Sequence, residues 1–258
     1  MAMSVRLDGE ESCFTYLMRI AYDGTRYHGW QYQEGVVTIE GILRETFERT
    51  FGHKISLCAA SRTDTGVHAY DQVASFVTPL SLEPSRLQEI WNRTLPIDIV
   101  IRSMTMNDQL IHPRYDVKQK IYWYHIFTQR PLPFIASYGW YCGSSLNFEV
   151  MRLCLDSVVG THDFRSFCTG DTYKSTVRTI DAINIQWLAR FAAYRIAVRG
   201  RRFMHFMIRR IVGAAVMVSS RRPCNAQIFY NVFQQCDPRH HLVTAPASGL
   251  LLRKIYYT

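Results

Sequence analysis

Two apolar segments separated by a short polar loop place the strongest constraint on how this chain folds. Residues 55–59 and 72–77 are mostly apolar, and each predicts a β-strand. The loop between them carries Arg62, Asp64 and Gly66. A carboxylate in a short loop between strands, with a cation beside it, is typical of a catalytic group held by a sheet. The same residues are also typical of a hairpin turn with a surface ion pair, so the loop alone leaves both interpretations open.

The first half of the chain predicts a mixture of strands and helices. Residues 14–22 predict a strand with alternating aromatic and branched side chains, and Thr38 is a typical N-cap for a helix that ends at Gly52. Pro84 begins a second helix, and residues 97–104 predict a further strand. The order of strand, helix, two strands, helix and strand favours a mostly antiparallel α+β arrangement.

The second half of the chain again mixes the two kinds of element. Strands are predicted at 119–127, 176–188 and 191–199, and helices at 147–159, 203–219 and 225–235. We therefore expect an α+β fold with an N-terminal half of residues 1–106 and a C-terminal half of residues 107–258. Each half should contain a mixed or antiparallel sheet with flanking helices, and the active site should lie in a cleft between the halves.

The positive charge of the chain is concentrated in one segment. The formal net charge is +9, and residues 182–236 contain nine arginines but no aspartate or glutamate. A guanidinium grips phosphate with a planar fork of donors and can also stack on bases. The segment therefore predicts a face that binds nucleic acid, although a generally basic protein without such a face is the alternative.

Cysteine and histidine spacing argues against a metal site. The seven cysteines include no C-x-x-C pair, and the histidines form no H-x-x-x-H pattern, so we expect neither a zinc site nor a disulfide framework. Reduced thiols favour the cytoplasm or an organelle interior. The first twelve residues lack the apolar region of a secretory signal, and no apolar run is long enough to span a bilayer. We expect a cytoplasmic protein without membrane contact.

A series of motifs along nearly the whole chain resembles the TruA-type tRNA pseudouridine synthases. In order, these are residues 21–31 (AYDGTRYHGWQ), 62–69 (RTDTGVHA), Asn92 with Leu95-Pro96, Arg114-Tyr115 with residues 120–122 (KIY), residues 160–164 (GTHDF) with Ser166-Phe167, residues 178–180 (RTI), 207–213 (MIRRIVG) and 245–250 (APASGL). Each motif is weak alone, but together and in this order they favour the catalytic interpretation of the loop around Asp64.

The resemblance implies the pseudouridine synthase fold and an isomerase activity. Members of this family detach uracil from its ribose, rotate it and rejoin it through C5, at uridines 38, 39 and 40 in the anticodon arm of tRNA. They use no metal and no organic cofactor, and they act as homodimers. The apolar residues Phe191 and Tyr194, together with the last helix, are candidates for a dimer interface here.

Four residues match the central positions of the family's site. Asp64 matches the catalytic aspartate, which acts either as a nucleophile or as a base. Arg62 would keep that carboxylate ionised and take the place of the flipped nucleotide in the stack. Tyr122 matches the tyrosine that stacks on the target base, and Arg209 matches the arginine that pairs with the aspartate.

Further substrate contacts are expected from Arg210, Arg201, Arg202 and His68. Arg209 and Arg210 should point about 100° apart on a helix, so that one faces the cleft and the other faces solvent or phosphate. Arg201 and Arg202 stand where many members have asparagine and a small residue, which weakens the transfer of a role but favours extra phosphate contacts. His68 either orders the loop or touches a phosphate.

The chain departs from the family pattern beside the catalytic position. Ser61 and Thr65 replace the usual glycine and alanine, but neither change removes a catalytic group. The main alternative function is a non-catalytic RNA-binding or tRNA chaperone module on the same fold. The joint presence of Asp64, Arg62 and the two partners Tyr122 and Arg209 argues against it. A metal-dependent nuclease, a third class, would require clustered acids.

Overall fold

The computed structural model describes residues 13–109, 111–143, 145–169, 173–240 and 242–257. These described residues form the strands β1 (Phe14–Tyr22), β2 (Cys58–Ala59), β3 (His68–Thr78), β4 (Ile99–Met106), β5 (Gln119–Phe127), β6 (Trp140–Tyr141), β7 (Gly160–Asp163), β8 (Val177–Leu188), β9 (Ala193–Gly200) and β10 (Leu250–Tyr256). They also form the helices α1 (Ile39–Phe51), α2 (Pro84–Asn92), α3 (Phe148–Asp156), α4 (Met207–Ser220) and α5 (Gln227–Gln234). The mixture confirms the expected α+β class.

The chain divides into two compact units. The N-terminal unit comprises Met1–Lys118 together with Leu252–Thr258, and the central unit comprises Gln119–Leu251. These bounds differ from the expected division after residue 106, since residues 107–118 and the end of the chain belong with the N-terminal unit. The functional roles expected for the two halves, and the cleft between them, stay predictions. The first twelve residues, for which we expect no secretory signal, lie outside the described part of the chain.

The N-terminal unit is built on a sheet with two helices packed against it. Its strands lie in the order β4, β1, β3 and β10, with β2 also paired to β3. Strand β1 is antiparallel to both β3 and β4. Phe47 of α1 and Trp91 of α2 meet Phe76 of β3 with ring centroids 5.4 and 5.5 Å away. The indole nitrogen of Trp91 also donates a hydrogen bond to Thr46 Oγ1 at 3.0 Å, which joins the two helices.

The ends of these two helices follow the expected capping chemistry. The Thr38 hydroxyl accepts a hydrogen bond from the Gly41 amide at 3.1 Å, and α1 ends at Gly52 with a left-handed φ of 74°. Pro84 occupies the first position of α2, where a missing N–H costs nothing. The carboxylate of Glu83 accepts from the Ser85 amide at 2.7 Å and so caps the same helix.

The described residues of the central unit form the strands β5 to β9, which belong to the same ten-stranded sheet, and the helices α3 to α5. Its strands lie in the order β5, β9, β8 and β7, all antiparallel, with β6 parallel to β5. Helix α4 is buried along most of its length and packs against α3 and α5. An aromatic cluster fills the space beside α5; its members are Phe164, Phe167, Phe229 and Phe233. Among the described residues, none of the helices combines the length and apolar character that crossing a bilayer requires.

Several element boundaries differ from the sequence predictions, and the largest differences are at the starts of β2, β3 and α4. Of the strand predicted at 55–59, only Cys58–Ala59 forms, whereas β3 begins at His68, four residues before the predicted start. Helix α4 begins at Met207 rather than at residue 203, because Phe206 adopts a left-handed backbone with φ of 59° that cannot continue a right-handed helix. The short strands β6 and β7 were not predicted.

We predict that Asn92 stabilises the N-terminal unit by completing the hydrogen bonds of Ile101 in β4. The Asn92 amide donates to the Ile101 carbonyl and accepts from the Ile101 amide, both at 2.8 Å. Asn92→Ala should lower the free energy of unfolding by about 2 kcal/mol, because the Ile101 N–H loses its partner. Asn92→Asp, which retains an acceptor, should lose less. Urea unfolding measures both values.

The control variant is Arg93→Gln at the next position. Arg93 is exposed and forms an ion pair with Glu89 on the helix surface. Its replacement should change the free energy of unfolding by no more than about 0.5 kcal/mol. Equal losses for Asn92→Ala and Arg93→Gln would contradict the role given to Asn92.

Candidate active site

The loop that carries Asp64 is anchored at its start by a buried glutamine. The side chain of Gln72 donates to the Ser61 carbonyl at 2.6 Å and accepts from the Ser61 amide at 3.3 Å. Gln72 has no exposed surface. One residue earlier, the Ala60 amide donates to the Val73 carbonyl of β3 at 2.9 Å. The chain therefore leaves the short strand β2 in a fixed direction, because both contacts bind its main chain.

Asp64 begins a tight turn. The Val67 amide donates to the Asp64 carbonyl at 3.1 Å, and Gly66, third in the turn, has φ of 78°. A positive φ at this position is the mark of a type II turn and favours glycine. The preceding Thr63 is buried, with its hydroxyl 2.8 Å from the Tyr22 hydroxyl. The main chain at Asp64 is thus held while its side chain remains partly exposed and that of Arg62 is exposed.

The segment of residues 23–30, which follows β1, packs directly on this turn through main-chain contacts. The Trp30 amide donates to the Thr63 carbonyl at 3.1 Å, and the Tyr27 carbonyl accepts from the Gly66 amide at 3.2 Å. We call residues 23–30 the bracing turn. Trp30 and Tyr27 are buried, so the side chains of the bracing turn also contribute to the core of the N-terminal unit.

Two glycines permit this close approach. A Cβ on Gly24 would lie 2.1 Å from the Val67 carbonyl oxygen. Gly29 has φ of 83°, and a Cβ there would lie 2.7 Å from the Thr63 carbonyl oxygen and 3.2 Å from the Asp64 carbonyl carbon. No other residue leaves room for these contacts. The sequence alone does not reveal the role of either glycine, because a glycine beside a turn predicts only the turn itself.

Hydrogen bonds of Tyr27 and His68 tie the bracing turn to the rest of the unit. The Tyr27 hydroxyl donates to Asp98 at 2.6 Å. Burial, together with this hydrogen bond, raises the pKa of Tyr27, so the hydroxyl stays a donor at neutral pH. His68 is buried at the start of β3, and its Nδ1 lies 3.1 Å from both the Gly24 amide nitrogen and a carboxylate oxygen of Asp23. These contacts place His68 against the bracing turn.

Tyr122 lies on β5 of the central unit. It is paired with Val198 of β9, and only 6% of its surface is exposed. Its ring meets the ring of Phe203 edge-on, with centroids 5.3 Å apart and planes at 83°. Phe203, which the sequence analysis placed at the start of a helix, therefore helps to fix the plane of the tyrosine ring.

Arg209 is fixed by contacts at both its side chain and its main chain. Its Nε donates to the Ala245 carbonyl at 2.8 Å, and its own carbonyl accepts from the Ala245 amide at 3.0 Å. The guanidinium carbon also lies 4.8 Å from the ring centroid of Phe206, within the range of a cation–π contact. Phe206 therefore has two roles: its left-handed backbone ends the loop before α4, and its ring contacts the guanidinium of Arg209.

The other arginines of this region differ in their surroundings. Arg210 donates to the Cys168 carbonyl at 2.9 Å, and burial lowers its pKa without discharging it. Arg209 and Arg210 therefore bond to different segments, as their angular separation on a helix predicts. Arg201 and Arg202 are exposed. Arg62, Asp64 and His68 thus belong to the N-terminal unit, and Tyr122 with the four arginines belongs to the central unit.

Within the ranges that the structure describes, no three histidine, cysteine, aspartate or glutamate side chains come together as a metal site requires. The seven cysteines are all free thiols. Burial raises the pKa of Cys142 and of Cys154 to about 12, so these two thiols are protonated at neutral pH.

Comparisons with known proteins agree on one family. A family model described as tRNA pseudouridine synthase matches residues 18–116 and 155–258. Proteins named tRNA pseudouridine synthase A are similar over most of the chain. That of Thermoanaerobacter sp. strain X514 is 36% identical over 240 residues, 92% of this chain and 97% of that protein. That of Pseudothermotoga lettingae is 37% identical over 239 residues, with the same coverage. The chain belongs to the tRNA pseudouridine synthase family, whose members are isomerases.

We predict that Gly29→Ala impairs catalysis and that Gly35→Ala does not. Both glycines have a positive φ, 83° and 79°, so the left-handed backbone alone should cost each variant about 1 kcal/mol of stability, and the close backbone contacts of Gly29 add to the loss in Gly29→Ala. Only Gly29 contacts the Asp64 turn, whereas a Cβ on Gly35 meets nothing within 4 Å. Because displacing a catalytic group by about 1 Å can cost roughly 100-fold, kcat for pseudouridine formation should fall at least tenfold in Gly29→Ala alone.

The measurement combines thermal unfolding with turnover of tRNA by each variant. A fall in turnover of folded Gly29→Ala that folded Gly35→Ala does not show would support a positioning role for Gly29. Equal turnover in the two variants would show that the contact between the bracing turn and the Asp64 turn does not position the carboxylate.

Proposed function

We propose that this chain converts uridine to pseudouridine in the anticodon arm of tRNA, at one or more of positions 38, 39 and 40. The observation that carries the proposal is the Asp64 turn. Its main chain is clamped by Gln72 and by the bracing turn, while the carboxylate stays partly exposed beside an exposed Arg62. A structural ion pair in a hairpin would not need a clamp of this kind, whereas a catalytic group requires a fixed position.

The proposed reaction rearranges bonds without a net change in composition. The N1–C1′ glycosidic bond breaks, a C5–C1′ bond forms, the C5 proton leaves, and N1 gains a proton. Asp64 acts either as a nucleophile toward the sugar or the base, or as the base that removes a proton from the sugar. No redox partner is needed in either route, because the product is an isomer of the substrate.

We propose that Arg62 acts during exposure of the target uridine. A glycosidic bond inside a stacked stem cannot be reached by a side chain, so the nucleotide must leave the stack. The exposed guanidinium of Arg62, two residues before Asp64, is suited to fill the space that the base vacates, since a guanidinium is planar and stacks on bases.

We propose that Tyr122 and Arg209 complete the site. Tyr122 would form a wall against which the target base stacks, in an orientation maintained by Phe203. Arg209 would pair with the Asp64 carboxylate, as its family counterpart does. The support within the central unit is that its guanidinium is oriented by the Ala245 carbonyl and by the Phe206 ring. An oriented cation stabilises an anion without reorganisation during the reaction.

The remaining arginines and His68 receive different roles. We propose that the exposed Arg201 and Arg202 contact phosphates of the tRNA. For Arg210 and His68 we propose positioning roles, because Arg210 bonds to the Cys168 carbonyl and His68 is buried against Gly24. No specific observation favours the non-catalytic RNA-binding module.

We also propose that the protein is a cytoplasmic homodimer. The free thiols support a reducing compartment. A candidate interface lies at the β8–β9 connection of the central unit, where the Phe191 side chain is 47% exposed. Nearby, Trp187 and Tyr194 pack with ring centroids 4.7 Å apart, and Trp187 is also 47% exposed. Exposed aromatic residues that cluster in this way are typical of protein interfaces.

The test of the catalytic proposal is Asp64→Asn. We expect turnover to fall by at least about 1,000-fold, because the amide can neither attack nor accept the proton, whereas the dissociation constant for tRNA should change by less than about threefold. Release of tritium from C5-labelled uridine in tRNA measures turnover, and filter binding measures affinity. Asp108→Asn, which removes an exposed carboxylate elsewhere in the N-terminal unit, is the matched control.

Two outcomes would overturn this proposal. Normal tritium release by Asp64→Asn would remove the aspartate from the reaction. Release that is unchanged by adding the wild-type protein would support the non-catalytic module instead.

The homodimer has its own test. Light scattering of the wild-type protein at micromolar concentration should give twice the chain mass of 30.0 kDa. Phe191→Ser should shift the protein toward the monomer, because it removes apolar surface from the proposed interface. Val77→Ser, at a valine that is 52% exposed in the N-terminal unit, should leave the mass unchanged. A monomeric wild-type mass would contradict the proposal.

A further inference from the structure

A buried carboxylate in the N-terminal unit is surrounded by cations that the catalytic proposal does not use. Asp71 lies in β3 with its side chain only 1% exposed. Arg19 pairs with one carboxylate oxygen, and Lys254 Nζ lies 3.3 Å from the same atom. Arg102 Nη1 lies 3.2 Å from the other oxygen. The three cations are 32–34% exposed, so each reaches both the buried carboxylate and the solvent.

Irregularities in the sheet bring these residues together. Ile20 and Tyr22 of β1 pair with Gln72 and Ala69 of β3, which leaves Tyr70 and Asp71 opposite a single residue. On the other side of β1, Arg19 and Ile20 pair with Ser103 and Ile101, which leaves Arg102 as an extra residue in β4. A β-bulge redirects the side chain of the extra residue. The two bulges flank the same part of β1, so they turn Asp71 and Arg102 toward each other.

A partly exposed tyrosine organises a fourth cation beside this group. The guanidinium carbons of Arg102 and Arg253 lie 3.9 and 4.3 Å from the ring centroid of Tyr70. Arg102 also donates to the Tyr70 hydroxyl and to the Tyr70 carbonyl, both at 3.1 Å. Cation–π contacts and hydrogen bonds therefore hold two guanidinium groups in fixed positions around one ring.

The group carries more positive charge than its folding role requires. Three cations pair with the Asp71 carboxylate and Arg253 joins them through Tyr70, so the four cations and Asp71 together carry a net charge of +3. A single cation would be enough to neutralise Asp71. Like charges held close together repel each other, and an anionic ligand would relieve that repulsion. None of the four cations belongs to the arginine-rich segment of residues 182–236.

We propose that Arg19, Arg102, Arg253 and Lys254, held in place by Asp71 and Tyr70, form a phosphate-binding surface for the tRNA backbone. The inference rests on the proposed function for the identity of the RNA. Guanidinium groups present forked donors that match phosphate oxygens, and their orientation by Asp71 and Tyr70 lowers the entropy lost on binding. The surface adds a contact region on the N-terminal unit to the one expected from the arginine-rich segment.

The salt dependence of tRNA binding tests the surface. The logarithm of the binding constant should fall with the logarithm of the salt concentration, with a slope set by the number of phosphates neutralised. The double variant Arg102→Gln, Lys254→Gln should show a slope shallower by roughly 1.5 to 2, and weaker binding at low salt. The double variant Arg102→Lys, Lys254→Arg, which keeps both charges, should retain a slope close to that of the wild type.

The matched control removes the same two charges from another part of the unit. Arg86 and Arg93 of α2 are exposed and pair with Glu89, so Arg86→Gln, Arg93→Gln changes the net charge equally. Its slope should stay close to that of the wild type. An unchanged slope in the Arg102, Lys254 variant, or an equal change in both glutamine variants, would overturn the proposal.

A second variant covers the case in which the glutamine pair does not fold. Arg253→Gln alters a cation that contacts Tyr70, and it should make the slope shallower by about 1. An unchanged slope in folded Arg253→Gln would also count against the surface. Because the readout is binding, it does not depend on whether the wild-type protein forms pseudouridine, so failure of this inference is distinguishable from failure of the proposed activity.

Discussion

The N-terminal unit depends on the contact between two stretches of backbone that lie closer together than side chains would allow. Gly24 and Gly29 bring the bracing turn against residues 63–67, and the main-chain hydrogen bonds of Tyr27 and Trp30 keep it there. Backbone positions held by backbone contacts vary less than positions held by long side chains, because fewer rotatable bonds intervene. This is why the carboxylate of Asp64 can stay partly exposed without losing its position.

Much of the fold follows from periodicity and capping, but its boundaries do not. Strand β1 and the start of α1 lie where alternation and the Thr38 cap predict them. The predicted start of α4 at residue 203 was wrong. Nothing in residues 203–206 signals that Phe206 takes a left-handed backbone, which is rare for a bulky residue. Propensity describes what a segment prefers alone, whereas the contact of Phe206 with Arg209 depends on tertiary structure.

The sequence predicted the candidate chemical residues of the site, but not the residues that hold them in place. Asp64, Tyr122 and Arg209 could be named from motifs, since each carries the chemistry itself. Gln72 and Phe203 could not, because a buried glutamine and a loop phenylalanine have no distinctive pattern in sequence. Counting charged residues along the sequence likewise did not predict the group of cations around Asp71. Outside residues 182–236 the chain is balanced in total, yet the fold brings three cations to Asp71 and a fourth to the neighbouring Tyr70 ring.

The same geometry explains why the chain tolerates its departures from the family pattern beside Asp64. Ser61 stands where a glycine is usual, but its backbone does not have the positive φ that would require glycine. Its contacts with Gln72 use only its amide and carbonyl, so the added side chain leaves them intact. Thr65 is exposed at the second position of the turn, where most residues are accepted. Because the clamp acts on the main chain, these two side chains can vary while Asp64 keeps its position.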